Sequence, residues 1–314
     1  ILGGAFESLR ANPKAMFVPS LVVMSIVGLL SAGSLVLFLS RLDTPGVIAG
    51  SGEITEAEAQ ASLDQLGSSF VGLFAQLGVT VVLGTMATSI IVGLLIVTVS
   101  RTILGRKASL SDVWQRTKPR VWALIGQAVI IQLVFTAVLA AAIGVFFAFF
   151  FGLRIPDVDS ASPDDAVGTI LLTILGLLVL VALVGLGMFA LYCKLSLAPA
   201  ALILENVGVF EGISRSWALT RGYFWRVVGI QILSFLIMSF ASAIVTTPIS
   251  MLAGVLTAAA PSAQILALGM SVLLGNIVTA ATLPFDSAVN ALIYTDLRMR
   301  SEGLDVELRR AAGV

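Results

Sequence analysis

The stretch Met16–Ser40, MFVPSLVVMSIVGLLSAGSLVLFLS, runs for about 25 residues without a charge, longer than the roughly 20 apolar residues needed to cross a hydrocarbon core. Five more uncharged runs follow: Phe70–Ser100, Val121–Leu153, Val167–Tyr192, Val227–Ala260, and Ile265–Leu283 with a continuation to Tyr294. Each can span a bilayer as a helix, the longer ones with tilt. A cleavable signal has an apolar region of only about 7–15 residues, so Met16–Ser40 reads as a retained first span. The chain opens at Ile1 rather than Met, and a leading segment is expected ahead of it.

Composition agrees with this reading. Of 314 residues, 58% are hydrophobic and 11% charged, and the mean hydropathy is +1.05. A soluble domain carries about a quarter charged residues, so water is not the main solvent here. The net charge of zero gives no bias toward nucleic acid. One cysteine, Cys193, allows no internal disulfide, and histidine is absent. The commonest general base and the commonest zinc ligand are therefore missing together. No phosphate-binding loop, dinucleotide fingerprint, paired-cysteine motif or nucleophile elbow is present. No cofactor, no metal and no enzymatic activity are expected.

The loops between the runs alternate in charge. Arg10 and Lys14 precede the first run, and the loop after it sets Arg41 against Asp43, Glu53, Glu56, Glu58 and Asp64. The next loop sets Arg101, Arg106, Lys107, Arg116, Lys118 and Arg120 against Asp112. Arg154 then faces Asp157, Asp159, Asp164 and Asp165, acids close enough to suggest a divalent cation but more simply read as a solvated loop. Lys194, Arg215, Arg221 and Arg226 come next, a short uncharged loop near Pro261 follows, and the tail carries Arg298, Arg300, Arg309 and Arg310. Sixteen of the eighteen cations fall on one side, which the positive-inside rule makes cytoplasmic. The expected topology is six spans with both termini in the cytoplasm. Arginine over lysine and abundant Ala, Val, Leu and Gly point to a GC-rich bacterium, hence a bacterial plasma membrane.

All four tryptophans fall into two pairs, Trp114/Trp122 and Trp217/Trp225, offset by 103 residues, with Gly126 and Gly229 at the same offset. Phe6–Phe17 forms a weaker first copy, with Leu9 and Phe17 at the tryptophan positions. The repeat predicts an all-α bundle of three hairpins, each preceded by a short amphipathic helix. The expected layout is one transmembrane domain over 1–314, with repeat units 1–100, 101–204 and 205–300 and a tail at 301–314. Indole rings prefer the headgroup level, and cations beside them meet anionic lipid. Trp114, Trp122, Trp217, Trp225, Arg116, Lys118, Arg221 and Arg226 are accordingly the candidate lipid-facing set.

The stretch Pro199–Glu205 (PAALILE), with Gly208, Arg215-Ser-Trp217, Leu219, Arg221-Gly222, Phe224-Trp225-Arg226 and Gly229, resembles the glycerophosphoryl diester phosphodiesterase membrane-domain family. So do Pro284-Phe285, Ala291–Tyr294, Asp296–Glu307, and the opening Phe6–Lys14 with Asn12-Pro13-Lys14. The resemblance implies a bacterial multi-pass membrane protein, in a family sometimes fused to a soluble phosphodiesterase domain. That catalytic domain would need histidines and a carboxylate set, and neither it nor its activity is carried over to this chain.

One intramembrane group stands out. Asp286 follows Pro284 inside the sixth run, with Asn276, Thr282 and Asn290 nearby, about 12 Å deeper than Tyr294 at 1.5 Å per residue. An ionisable group there faces a bundle interior or cavity, and proline would break the helix. Asp286, Asn276, Asn290, Thr282 and Lys194 form the candidate polar site, a substrate, headgroup or proton site on a broken helix; the plainer alternative pairs Asp286 with Lys194 or Arg226. Gln127, Gln132 and Gln231, and the small-residue pairs Gly28/Ala32, Gly84/Thr88 and Ser239/Ala243, read as helix-packing elements. The carrier signature P-x-[DE]-x-x-[KR] fails at Val289 and is not repeated. Two function classes follow. One is a non-enzymatic membrane protein that handles or senses lipid or scaffolds an envelope assembly, with membrane lipids, anionic headgroups or a protein in the membrane as partners. The other is a transporter or permease subunit.

Overall fold

The computed structural model describes residues 1–40, 56–103, 110–152, 163–260, 262 and 264–303. Arg41, Asp43, Glu53, Arg106, Lys107, Arg154, Asp157, Asp159, Pro261 and the tail with Arg309 and Arg310 lie outside the described residues, as do the side chains of Glu56, Glu58, Asp64, Asp164 and Asp165.

Among the described residues the chain is helical, with no strand. The helices are α1 (Leu2–Ala11), α2 (Pro13–Ser40), α3 (Glu56–Ile103), α4 (Leu110–Thr117), α5 (Val121–Gly152), α6 (Pro163–Leu195), α7 (Ala198–Leu204), α8 (Val209–Arg221), α9 (Phe224–Ala259) and α10 (Gln264–Glu302), and a 3₁₀ turn at Lys118–Arg120 joins α4 to α5. Six of these, α2, α3, α5, α6, α9 and α10, are long and apolar enough to cross a membrane. Hydrocarbon offers no hydrogen-bond partner, so an uncharged run satisfies its backbone by coiling. The protein is a multi-pass, all-α membrane protein. α1 precedes α2, α4 precedes α5 and α8 precedes α9, so a short helix leads into every odd-numbered span.

Two boundaries depart from the sequence expectation. α3 begins at Glu56, well before Phe70, because the polar stretch ahead of the apolar run continues the same helix. α10 passes through Pro284 without a break, and so correct the expectation of a discontinuous sixth helix; Pro19 and Pro248 also sit inside helices. Proline removes one donor and crowds the carbonyl one turn back. In a membrane, abandoning the helix would orphan several more backbone groups, and the helix persists.

The chain divides into two compact units, Ile1–Ile125 with Ile232–Leu292, and Gly126–Gln231 with Ile293–Val314. In the first unit α2 packs on α3, and Gln76 Nε2 donates to Ser34 Oγ at 2.8 Å. Gly28 lets α10 approach α2 closely: a Cβ there would lie 2.9 Å from Asn276 Cβ and 3.1 Å from Leu273 Cδ1. Gly28 and Ala32 are both buried, so this small-residue pair forms a helix seam. Gly84 has nothing within 4 Å of its Cβ position, and Ala243 is exposed. α1 is held by Phe6 against Phe285, ring centroids 4.7 Å apart, and by Asn12 Nδ2 donating to Thr102 Oγ1 at 3.0 Å.

In the second unit α8 packs on α6 and α7. Asn206 takes a positive φ of 60° between α7 and α8, a conformation asparagine tolerates better than most residues. Glu211 Oε2 then accepts the Gly208 N–H at 3.4 Å at the start of α8. The apolar interior here includes Cys193, Leu197, Leu202, Val227, Ile293 and Leu297.

Candidate functional site

The tryptophan repeat has a matched three-dimensional form. Trp114 and Trp217 are 44% and 43% exposed, and Trp122 and Trp225 are 78% and 79% exposed. Positions flanking them match as well: Val113 and Ser216 are buried, as are Leu124 and Val227. Thr117 and Thr220, also at the 103-residue offset, are buried and donate to the carbonyl one turn back, Val113 O at 3.0 Å and Ser216 O at 2.8 Å. A threonine hydroxyl with no other partner satisfies itself this way inside a helix. In the first copy Ser8 and Pro19 are buried at the corresponding places. Each exposed indole has exposed cations on its own segment: Arg116 and Lys118 near Trp114 and Trp122, and Arg221 and Arg226 near Trp217 and Trp225.

The intramembrane candidates do not all converge. Asn290 Nδ2 donates to Asp286 Oδ2 at 3.3 Å, one helical turn away, and both are half-buried. Asn276 donates to its own Val272 O at 2.9 Å, and its Cβ faces Gly28. Thr282 donates to Thr279 O at 3.0 Å. These two polar groups serve helix and packing. Lys194 places its ammonium 3.9 Å from the Trp217 ring centroid and 5.9 Å from that of Phe224. Arg226 pairs with Asp296 at 3.1 Å. Gln127 is buried and donates from Nε2 to Val209 O at 3.4 Å, whereas its Oε1 has no partner. Gln231 donates to Ser196 Oγ at 3.4 Å, and Gln132 is exposed.

A second cluster was not singled out from sequence. Glu205 accepts Arg215 Nε at 3.0 Å and lies 3.3 Å from Arg298 Nε. Glu302 takes the other side of both arginines, Arg298 Nε at 3.0 Å and the Arg215 guanidinium directly. Two acids and two arginines thus alternate in a closed ring. The phenol of Tyr294, itself buried, donates to Glu205 Oε1, and Arg298 lies over its ring. Burial pushes the Glu205 carboxyl up, but the hydrogen bonds from Tyr294 and Arg215 and the charges of Arg215 and Arg298 outweigh it and hold the carboxyl below the usual range. The hydrogen bond to Glu205 in turn raises Arg215 above its ordinary value. Beside the ring, Asp296 binds Arg226 and, one turn along α10, Arg300 at 3.2 Å.

The signal for this ring was present in the sequence. Glu205 and Arg215 lie in the stretch Pro199–Gly229, and Tyr294, Arg298 and Glu302 in the stretch Pro284–Glu307, both singled out in the sequence. The fold brings the two stretches together. A closed, neutral ring clamps α7, α8 and the end of α10 and offers no vacant charge to a ligand.

Among the described residues no group of three or more Asp, Glu or Cys side chains could hold a metal ion. Apolar grooves occur in both units: about 310 Å³ between the ends of α9 and α10, lined by Leu252, Leu256 and Met270, and about 430 Å³ between α5 and α6, lined by Ile143, Phe146 and Val181. Neither presents a charged side chain.

No curated protein and no solved structure matches this chain. A family model described as a domain of unknown function, DUF7847, matches residues 1–297, which takes in the short helices, the first five spans, all but the end of α10, and Glu205, Arg215 and Tyr294. The chain therefore belongs to the DUF7847 family.

Proposed function

We propose that this protein is a non-enzymatic integral membrane protein of the bacterial cell envelope that handles or senses lipid, or scaffolds a membrane assembly through lipid contacts. The observation that carries the reading is the matched pair Trp122 and Trp225, 78% and 79% exposed at equivalent places where a span begins. A large indole left that open in two copies of one motif, next to Lys118 and Arg120 in one and Arg221 and Arg226 in the other, suits the headgroup level of a bilayer. The two largely apolar grooves support it, because they suit acyl chains better than a polar solute. The distribution of cations supports a plasma-membrane location with both termini cytoplasmic. The likeness of the Glu205 and Tyr294 stretches to the glycerophosphoryl diester phosphodiesterase membrane-domain family supports kinship with those bacterial multi-pass membrane proteins.

The test is native mass spectrometry of the purified chain with its co-purifying lipids. The unmodified protein should retain phospholipid, and Trp122→Ala with Trp225→Ala should release most of it. Equal retention by the double variant, or uptake of a soluble solute by vesicles containing the chain, would overturn the reading.

A second reading, a transporter or permease subunit, rests on the half-buried Asp286 and Asn290 pair in α10. Ionisable groups inside spans mark ion and substrate pathways. It predicts that Asp286→Asn impairs function more than Asp286→Glu and that a partner ATPase co-purifies; activity of Asp286→Ala equal to that of the unmodified chain would exclude it.

A further inference from the structure

We infer that Lys194, Trp217 and Arg221 form a binding site for the phosphate of an anionic phospholipid headgroup. The inference deepens the lipid reading above and rests on it.

The inference comes from sorting the charges of the second unit. Six cations have described side chains there: Lys194, Arg215, Arg221, Arg226, Arg298 and Arg300. Arg215 and Arg298 are closed into the ring with Glu205 and Glu302, and Arg226 and Arg300 share Asp296. Glu211 is engaged by the Gly208 N–H. Neither Lys194 nor Arg221 forms an ion pair with a carboxylate of the described residues.

These two unmatched cations are not scattered. Arg221 lies one helical turn beyond Trp217 on α8, on the same face. Lys194 comes from the end of α6 and sits over the Trp217 ring at 3.9 Å. Its backbone is fixed to α8, because Ser216 Oγ donates to Lys194 O at 2.6 Å. The aromatic face holds the ammonium by its quadrupole without neutralising it. Lys194 is therefore half-buried and positioned. The indole N–H of Trp217 has no acceptor among the described residues, and the ring is 43% exposed. A positioned ammonium, a second cation one turn along α8 and a free N–H donor on one partly open ring suit a phosphate, whose oxygens accept from all three. Lipid, rather than free phosphate, is favoured because the exposed Phe210 and Trp225 lie on the elements flanking the site and supply apolar surface for the glycerol and acyl portions.

The second repeat provides an internal control. It repeats the tryptophan and the cation one turn on, as Trp114 and Lys118, but the position equivalent to Lys194 is Ile91, which is buried. The site is expected in the third repeat alone.

The experiment uses the full chain in nanodiscs of phosphatidylcholine titrated with phosphatidylglycerol, with bound lipid counted by native mass spectrometry. Lys194→Gln with Arg221→Gln should weaken the tightest phosphatidylglycerol site about tenfold or more. Arg10→Gln with Lys14→Gln, which removes two exposed cations of the first copy, should change it less than about twofold. Lys194→Arg with native Arg221 should restore most of the affinity, which a folding defect in the glutamine variant would not allow. Competition by millimolar inorganic phosphate as effective as competition by the lipid would overturn the headgroup assignment. Unchanged phosphatidylglycerol affinity in the glutamine variant, with lipid still lost from the Trp122→Ala and Trp225→Ala variant, would overturn this site and leave the general lipid reading standing. Indifference of every variant would overturn both.

Discussion

In the second repeat Arg101, at the end of α3, reaches Asp112 on α4 at 3.2 Å; in the third, Glu205, just after α7, accepts Arg215 on α8 at 3.0 Å. Asp112 and Arg215 are 103 residues apart, at equivalent places, with opposite charge. Both repeats tie the chain just ahead of the short helix to that helix by an ion pair, with opposite polarity. The surroundings differ more than the bond. Asp112 is 54% exposed, whereas Glu205 is 15% exposed and joined by Arg298, Glu302 and Tyr294. A common scaffold of buried threonines and exposed tryptophans thus carries a solvated pair in one repeat and a screened network in the other. The value of an ion pair depends on that context far more than on its length.

The largest expected effect tests this contrast directly. Glu205→Ala strips the acceptor from Arg215, Arg298 and Tyr294 together and should destabilise the protein by about 2–3 kcal/mol, since removing one partner strands the others. Asp112→Ala should cost no more than about 0.5 kcal/mol, because an exposed pair is screened by water and salt. Thermal unfolding in a mild detergent reads both, and similar losses would abolish the distinction. The contrast also has a pH signature. Glu205 is held below its ordinary value of 4.5 by its partners. A carboxyl depressed on folding stabilises the folded state fully above its unfolded value, and that stabilisation is lost as pH falls through the depressed value. The gap between the unmodified protein and Glu205→Gln should be constant above pH 4.5 and close below it. A gap that widened on acidification would show the sign to be wrong.

Much of the fold could be read from the sequence because its cause is local. An uncharged run longer than a bilayer is thick has one low-energy conformation in lipid, and the Met16 and Val121 runs became α2 and α5 with boundaries shifted by only a few residues. The exceptions were equally physical. Pro284 suggests a break by the rules of soluble helices, but α10 continues because hydrocarbon leaves no alternative partner for the backbone. The site was only half legible. Trp114, Trp122, Trp217 and Trp225 announce themselves by spacing, which is a property along the chain. The ring of Glu205, Arg215, Arg298 and Glu302 joins residues nearly a hundred positions apart, and charge alone does not say which acid meets which arginine. Lys194 was placed as a partner for Asp286; its position over Trp217 depends on how α6 meets α8, which periodicity does not encode.

A smaller effect is expected where the repeats differ by a single buried side chain. Gln127 in α5 corresponds to Ile230 in α9. Gln127 is buried, its Oε1 lacks a partner, and its Nε2 reaches Val209 O only at 3.4 Å. A buried carbonyl without a donor is unfavourable, and a bond that long recovers little. Gln127→Ile should therefore stabilise the protein by about 0.5–1 kcal/mol, a small rise in unfolding temperature. A loss of stability would mean that the bond to Val209 holds α8 more firmly than its length suggests.

The smallest effect on stability, and the closest test of equivalence, concerns Trp122 and Trp225. With 78% and 79% of their surface open, neither ring contributes much to packing, and each alanine substitution should shift unfolding in detergent by no more than about 0.5 kcal/mol. In bilayers the picture should change, because the indole rings there have a headgroup layer to occupy. If the repeats anchor alike, Trp122→Ala and Trp225→Ala should lower lipid retention by the same factor, and the double variant should show the product of the two. A clear inequality, with Trp225→Ala the more damaging, would mean that the third repeat carries a function its exposure does not reveal. The nearest explanation would be the cluster around Lys194, Trp217 and Arg221, since Trp225 lies next in sequence to Phe224, whose ring also faces the Lys194 ammonium. Repeating the measurement in the Lys194→Gln background separates the two cases: an inequality that disappears there belongs to the headgroup site, and one that persists belongs to the ring itself.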